Sequence, residues 1–113
     1  MRLGIAVWRG HVSPVFDVAA TLLVLDIEAG REVARHVIPL GTPNQAHRAQ
    51  GLVSLGIDVL VCGAISRPLE QRVTAAGIRV VSLVSGPIDR VAEAVVAGRR
   101  LPADCLMPGQ GRR

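Results

Sequence analysis

The opening segment, Arg2-Leu-Gly-Ile-Ala-Val-Trp8, is apolar at both its odd and its even positions. Successive side chains of a strand point to opposite faces, so a strand apolar on both needs cover above and below. This places Arg2 to Trp8 in the middle of a sheet. The runs Thr21 to Ile27 and Glu32 to Ile38 follow, flanking Glu28-Ala-Gly-Arg31, and read as a hairpin in which Gly30 takes the positive φ of a tight turn.

The periodicity then changes. Thr42-Pro43-Asn44-Gln45 matches a capping box and predicts a helix to about Leu55, with Ala46, Ala49, Leu52 and Val53 on one side and His47, Arg48 and Gln50 pointing elsewhere. Gly56 ends it, and Ile57 to Cys62 is the fourth strand. Ser66 caps a short helix carrying Leu69, Val73 and Ala76, and Ile78 to Leu83 is the fifth strand. Ser85-Gly-Pro87 opens a third helix whose Ile88, Val91, Ala92, Val95 and Val96 fall on one face, closed by Gly98. From Arg99 onward periodicity disappears. The order β-β-β-α-β-α-β-α predicts an α/β fold, a three-layer α/β/α sandwich with a mixed five-stranded sheet of order 3-2-1-4-5 and strand 2 antiparallel. Residues 1–98 form the domain, and residues 99–113 are expected to be a basic, flexible tail.

With 113 residues, 50% of them hydrophobic and 19% charged, the chain suits one folded domain. Its apolar runs are too short to span a bilayer, and no secretory leader pattern opens it, so no membrane partner and a cytoplasmic location are expected. The net charge of +4 sits mostly at the end: residues 1–98 hold nine Arg against eight acids, and residues 99–113 hold four against one. With only Trp8 and Phe16 aromatic, a nucleic-acid partner is not expected. Cys62 and Cys105 form no C-x-x-C pair and should be reduced thiols.

In such a sheet ligands gather at the carboxyl ends of the strands where the chain reverses direction, here strands 1 and 4. Two loops follow them. Arg9-Gly-His-Val-Ser-Pro-Val-Phe-Asp17 offers His11 as a metal ligand or hydrogen-bond donor, Ser13 as donor or acceptor, and Gly10 for close backbone approach. The same loop also reads as turn chemistry, with Asp17 capping a helical turn. Gly63-Ala-Ile-Ser66 leads into a helix whose N-terminus favours an anion. Cys62 is either a soft ligand or a small core residue, and Cys105 with Met107 is either a soft-ligand pair or part of a frayed end. No glycine-rich nucleotide cradle, clustered acids for two cations, or G-x-S-x-G elbow is present, so the residues display no catalytic machinery.

The opening strand, Val12-Ser-Pro-Val-Phe-Asp-Val-Ala19, Leu55-Gly-Ile-Asp-Val-Leu-Val-Cys-Gly-Ala-Ile65 and Ala76-Gly-Ile-Arg-Val80 together resemble the dinitrogenase iron-molybdenum cofactor biosynthesis family, the NifX/NifB-type domain. The resemblance covers about residues 1–97. It implies a ribonuclease-H-like fold that binds an iron-molybdenum or other metal-sulfur cluster, or its precursor, without catalysis. Metallocofactor assembly or acceptor proteins would be its partners, and the state a monomer or weak homodimer. Some members carry a His immediately before the loop Phe, where this chain has Val15; His11 is the candidate replacement. On this reading Arg9, Gly10, His11, Ser13, Phe16, Asp17, Gly63 and Ser66 contact the cofactor, and His11, Cys62 and Cys105 are the metal-ligand candidates. A regulatory or scaffolding module that kept the fold without the cluster is the alternative, and an enzyme of nucleotide or phosphate chemistry a third.

Overall fold

A computed structural model of the protein describes residues 1–41 and 43–107. Its strands are β1 (Arg2–Trp8), β2 (His11–Val12), β3 (Thr21–Glu28), β4 (Arg31–Pro39), β5 (Val59–Val61) and β6 (Arg79–Val81); its helices are α1 (Gln45–Ser54), α2 (Arg67–Ala75) and α3 (Ile88–Val96). They form one sheet of order β4-β3-β1-β5-β6, with β2 paired to the end of β1. β1 is antiparallel to β3 and parallel to β5. Among the described residues the sheet thus has six strands, not five.

The extra strand comes from a turn that the spacing of apolar residues does not mark. Arg9 and Gly10 both have positive φ, at 49° and 78°, which is the backbone of a two-residue hairpin turn whose twist matches that of the flanking strands. Trp8 consequently faces His11 across the hairpin, and Val7 faces Val12.

Helices cover both faces, as the two-sided opening strand requires. On one face Ala6, Leu22, Val24 and Leu60 pack beneath Leu52 of α1 and Leu69 and Val73 of α2. On the other, Leu3, Ile5, Leu25 and Val61 pack beneath Ile88, Val91 and Ala92 of α3. Leu22, Leu25 and Leu60 are fully buried, and each such side chain contributes roughly 1.5–3 kcal/mol of apolar transfer free energy. Gly4 keeps the first face close-packed, because a Cβ there would lie 3.3 Å from a Leu22 methyl carbon.

Three local expectations need correction. Helix α1 is capped by Asn44, whose Oδ1 accepts the His47 N–H at 3.0 Å; the expected cap, Thr42, lies outside the described residues. Arg48 does not point to solvent with its neighbours but is buried. The segment from Arg99 is not a free tail as far as Met107: a 3-10 turn at Ala103–Cys105 puts Cys105 in the core beneath α3, and Leu106 bridges Val84. Residues 108–113 of the expected flexible tail lie outside the described residues. No helix among the described residues is long and apolar enough to cross a membrane.

One arginine ties the amino ends of β1 and β5 to the carboxyl end of β3. Arg2 Nε donates to Asp26 Oδ1 at 2.6 Å, Arg2 Nη1 donates to the Leu55 carbonyl at 2.7 Å, and the Arg2 N–H donates to Asp58 Oδ2 at 2.8 Å. The Arg2 hydrogen bond holds the Asp26 carboxyl below the ordinary aspartate range, against a smaller opposing effect of burial. A carboxyl whose pKa is lower folded than unfolded stabilises the fold above its unfolded value, and that contribution fades as pH falls toward the folded one. Urea unfolding between pH 5 and pH 2 should therefore show an acid-dependent loss that is smaller in Asp26→Asn; identical pH profiles for the two proteins would contradict this assignment.

Candidate functional site

The carboxyl ends of β1, β5 and β6 face the same rim, and three loops meet there. After the Arg9-Gly10 turn the chain doubles back, with the Ser13 N–H donating to the Ala6 carbonyl at 2.8 Å. It then runs beside the loop after β5. The Ala64 N–H donates to the Pro14 carbonyl and the Phe16 N–H to the Ala64 carbonyl, both at 2.8 Å, a short parallel bridge between Val15 and Ala64. The approach requires glycine at position 63, where a Cβ would stand 2.5 Å from the Pro14 oxygen and 2.6 Å from that of Ser13. The first and second predicted loops are therefore brought together.

The third loop, residues 82–87, was not anticipated as part of the rim. The Val12 N–H donates to the Gly86 carbonyl and the Ile88 N–H to the Gly10 carbonyl, each at 3.0 Å, while His11 bridges Pro87. The only local hint was the Ser-Gly-Pro run before α3.

Asp17 has a definite structural role. Its Oδ1 accepts the Ser66 N–H at 2.8 Å and its Oδ2 accepts the Ser66 hydroxyl at 2.5 Å. The anion-attracting start of α2 is thus already met by a carboxylate of the chain itself. Ser66, expected to cap α2 with its side chain, makes no side-chain cap bond there; its hydroxyl is given to Asp17.

Phe16 is fully buried among Leu52, Leu69 and Cys62 and anchors the loop. Its carbonyl and that of Ala19 accept hydrogen bonds from Arg48 Nη1, at 3.2 and 2.7 Å, and the guanidinium lies 5.8 Å from the Phe16 ring centre. Burial lowers the Arg48 pKa and Asp17 partly restores it. The spacing of α1 could not reveal this, because Arg48 stands beside the apolar Ala49 and its partners are backbone carbonyls 29 and 32 residues away.

Outside these clamps lies a cleft of about 370 Å³, lined by Trp8, Ser13, Pro14, Val15, Val18 and Ala19. Trp8 is 55% exposed and Val18 68%, an unusual display of apolar surface around a polar loop. The Arg9 guanidinium sits 4.8 Å from the Trp8 ring centre, so a fixed positive charge borders the apolar wall. His11 is exposed at the turn, its Nδ1 3.3 Å from the Arg9 carbonyl oxygen.

The three metal-ligand candidates do not meet. Cys62 and Cys105 lie in the cores on opposite faces of the sheet, and both are fully buried, whereas His11 is exposed. Burial pushes the Cys62 thiol up to about 12, with Glu70 and Asp17 adding to the effect, and the side chain packs in the core as a small hydrophobe. Among the described residues no three His, Cys, Asp or Glu side chains cluster as a metal site.

An α/β domain with a cleft at the carboxyl rim of its sheet is thus defined by geometry. The family model "dinitrogenase iron-molybdenum cofactor" matches residues 1–98, and the chain belongs to that family. Among solved structures it is similar to PH0822, at 24% identity, covering 92% of this chain and 98% of that one with a TM-score of 0.82. It is also similar to the orange protein of Desulfovibrio gigas in its apo form, at 24% identity over 90% and 92% of the two chains with a TM-score of 0.71. A Thermotoga protein with a provisional NifB assignment matches at 25% identity over 87% and 89%, with a TM-score of 0.64. No curated protein sequence matches the chain.

Two substitutions test the site's construction. Gly63→Ala should cost about 2–3 kcal/mol by urea unfolding, because the clash is with backbone that cannot step aside. Gly51→Ala, in α1 with nothing within 4 Å of its would-be Cβ, should be neutral or slightly stabilising; equal effects at the two positions would refute the close approach. Ellman's reagent at pH 8 should leave Cys62 unmodified in the folded protein and label it after denaturation, as read by peptide mapping.

Proposed function

We propose that the rim cleft is a non-catalytic receptacle for an anionic iron-molybdenum or other metal-sulfur cofactor or its precursor, held as cargo between assembly and acceptor proteins. The layering is taken as ribonuclease-H-like, in keeping with family membership. The observation that carries the reading is the pairing of an exposed apolar wall, Trp8, Val15 and Val18, with the Arg9 guanidinium at its edge. Such a surface suits a compact, polarisable anion more than a small polar metabolite.

The candidate residues then divide by role. Arg9 supplies charge, Gly10 lets the backbone come close, and His11 and Ser13 offer the polar contacts. Phe16, Asp17, Gly63 and Ser66 build and hold the cleft, since their polar groups are largely spent on one another or on the neighbouring loop. Cys62 and Cys105 take no part. The cargo is therefore gripped by charge, hydrogen bonds and apolar contact.

Anaerobic reconstitution with iron, sulfide and molybdate, followed by desalting, metal analysis and visible spectroscopy, tests this. Wild-type protein should retain a coloured species and show quenched Trp8 emission. Arg9→Glu should retain about tenfold less, the effect of 1.4 kcal/mol. Protein that stays colourless and metal-free under every loading condition, yet binds an assembly protein through Trp8 and Val18, would instead favour the scaffolding reading.

A further inference from the structure

The segment Leu101–Met107 lies beyond the residues that the family model matches, yet it is bound to the loop that supports the cleft's turn. Leu101 and Cys105 pack into the core beneath α3, and the Cys105 Sγ sits where a Cβ at Gly86 would be only 3.2 Å away. The Ser85 N–H donates to the Cys105 carbonyl at 2.8 Å, Leu106 bridges Val84, and Asp104 pairs with Arg90 of α3. The Met107 N–H donates to the Leu83 carbonyl at 2.9 Å.

Leu83 is the sensitive point. Its φ is +62°, a left-handed backbone that a leucine rarely adopts and that persists only where its surroundings impose it. Here both of its peptide groups are pinned, its N–H by the Gly63 carbonyl at 2.9 Å and its carbonyl by Met107. Three residues on, Gly86 accepts from Val12, and the Ile88 N–H reaches Gly10 inside the Arg9-Gly10 turn. A continuous set of hydrogen bonds thus links the end of the described chain to the turn that carries Arg9 and His11.

We infer that residues 101–107 form a latch that holds Leu83 in its strained conformation and thereby sets the Arg9–His11 turn at the cleft. Releasing the latch lets Leu83 relax, withdraws Gly86 from Val12 and frees the turn. A partner protein that displaced this segment would loosen the charged edge of the receptacle, a route to cargo release. This last step rests on the receptacle reading above; the mechanical coupling does not.

The test separates the two. Met107→Pro deletes the donor to Leu83 and leaves Cys105 in place, Cys105→Arg cannot be buried and expels the segment, and Cys105→Ala leaves it seated. Hydrogen exchange at the Val12 and Ile88 amides should rise about tenfold in Met107→Pro and further in Cys105→Arg. Leu23 and Val24 amides in β3 should be unchanged, iodide quenching of Trp8 should rise in parallel, and Cys105→Ala should match wild type. If Cys105→Arg unfolds, shown by lost protection in β3, Met107→Pro alone decides. Faster exchange confined to residues 101–107, with Val12, Ile88 and Trp8 unaltered, would overturn the latch. Coupling without metal retention by the wild-type protein would keep the latch and remove the receptacle.

Discussion

The site depends on one backbone contact, the pair of hydrogen bonds by which Ala64 joins Pro14 and Phe16. Gly63 is the residue that permits the approach. Once the contact exists, Phe16 falls into the core, Asp17 reaches Ser66, and Arg48 closes over the carbonyls of the 3-10 turn Phe16–Val18 and its cap Ala19. The last two satisfy polar groups that would otherwise cost stability. Remove the close approach and every one of them loses its geometry.

The fold was legible where periodicity was strong. The two-sided apolar strand, the β3–β4 hairpin and the apolar face of α3 all follow from side-chain spacing, because burial acts on whole faces. What escaped the reading was set by few residues or by distant ones. Arg9-Gly10 makes β2 through two positive φ angles, and an arginine in the first of those positions carries no warning. Arg48 looked like the other polar residues of α1 because its partners are carbonyls brought near only by the fold. Asn44 took the cap expected of Thr42, a shift of two residues within a run that offers several capping groups.

The rim was anticipated in part. Strand order at the reversal point directed attention to the first two loops, and these meet. The third loop and the Leu101–Met107 segment were not visible, since much of their attachment runs through main-chain groups that every residue possesses. The thiols illustrate the opposite error. Residue type made Cys62 and Cys105 attractive as ligands, but position buries them on opposite faces of the sheet, and burial pushes the Cys62 thiol up. Chemistry read from side-chain identity fails where the backbone decides accessibility.

The carboxylate of Asp17 at the start of α2 has a consequence for the receptacle proposed above, which would alternate between full and empty. A mouth propped open by a visiting anion would sag each time its guest left. Here the counter-charge is covalently part of the chain, so the scaffold keeps its shape without a guest, and on the proposed reading a guest's binding energy would not be spent on folding its host.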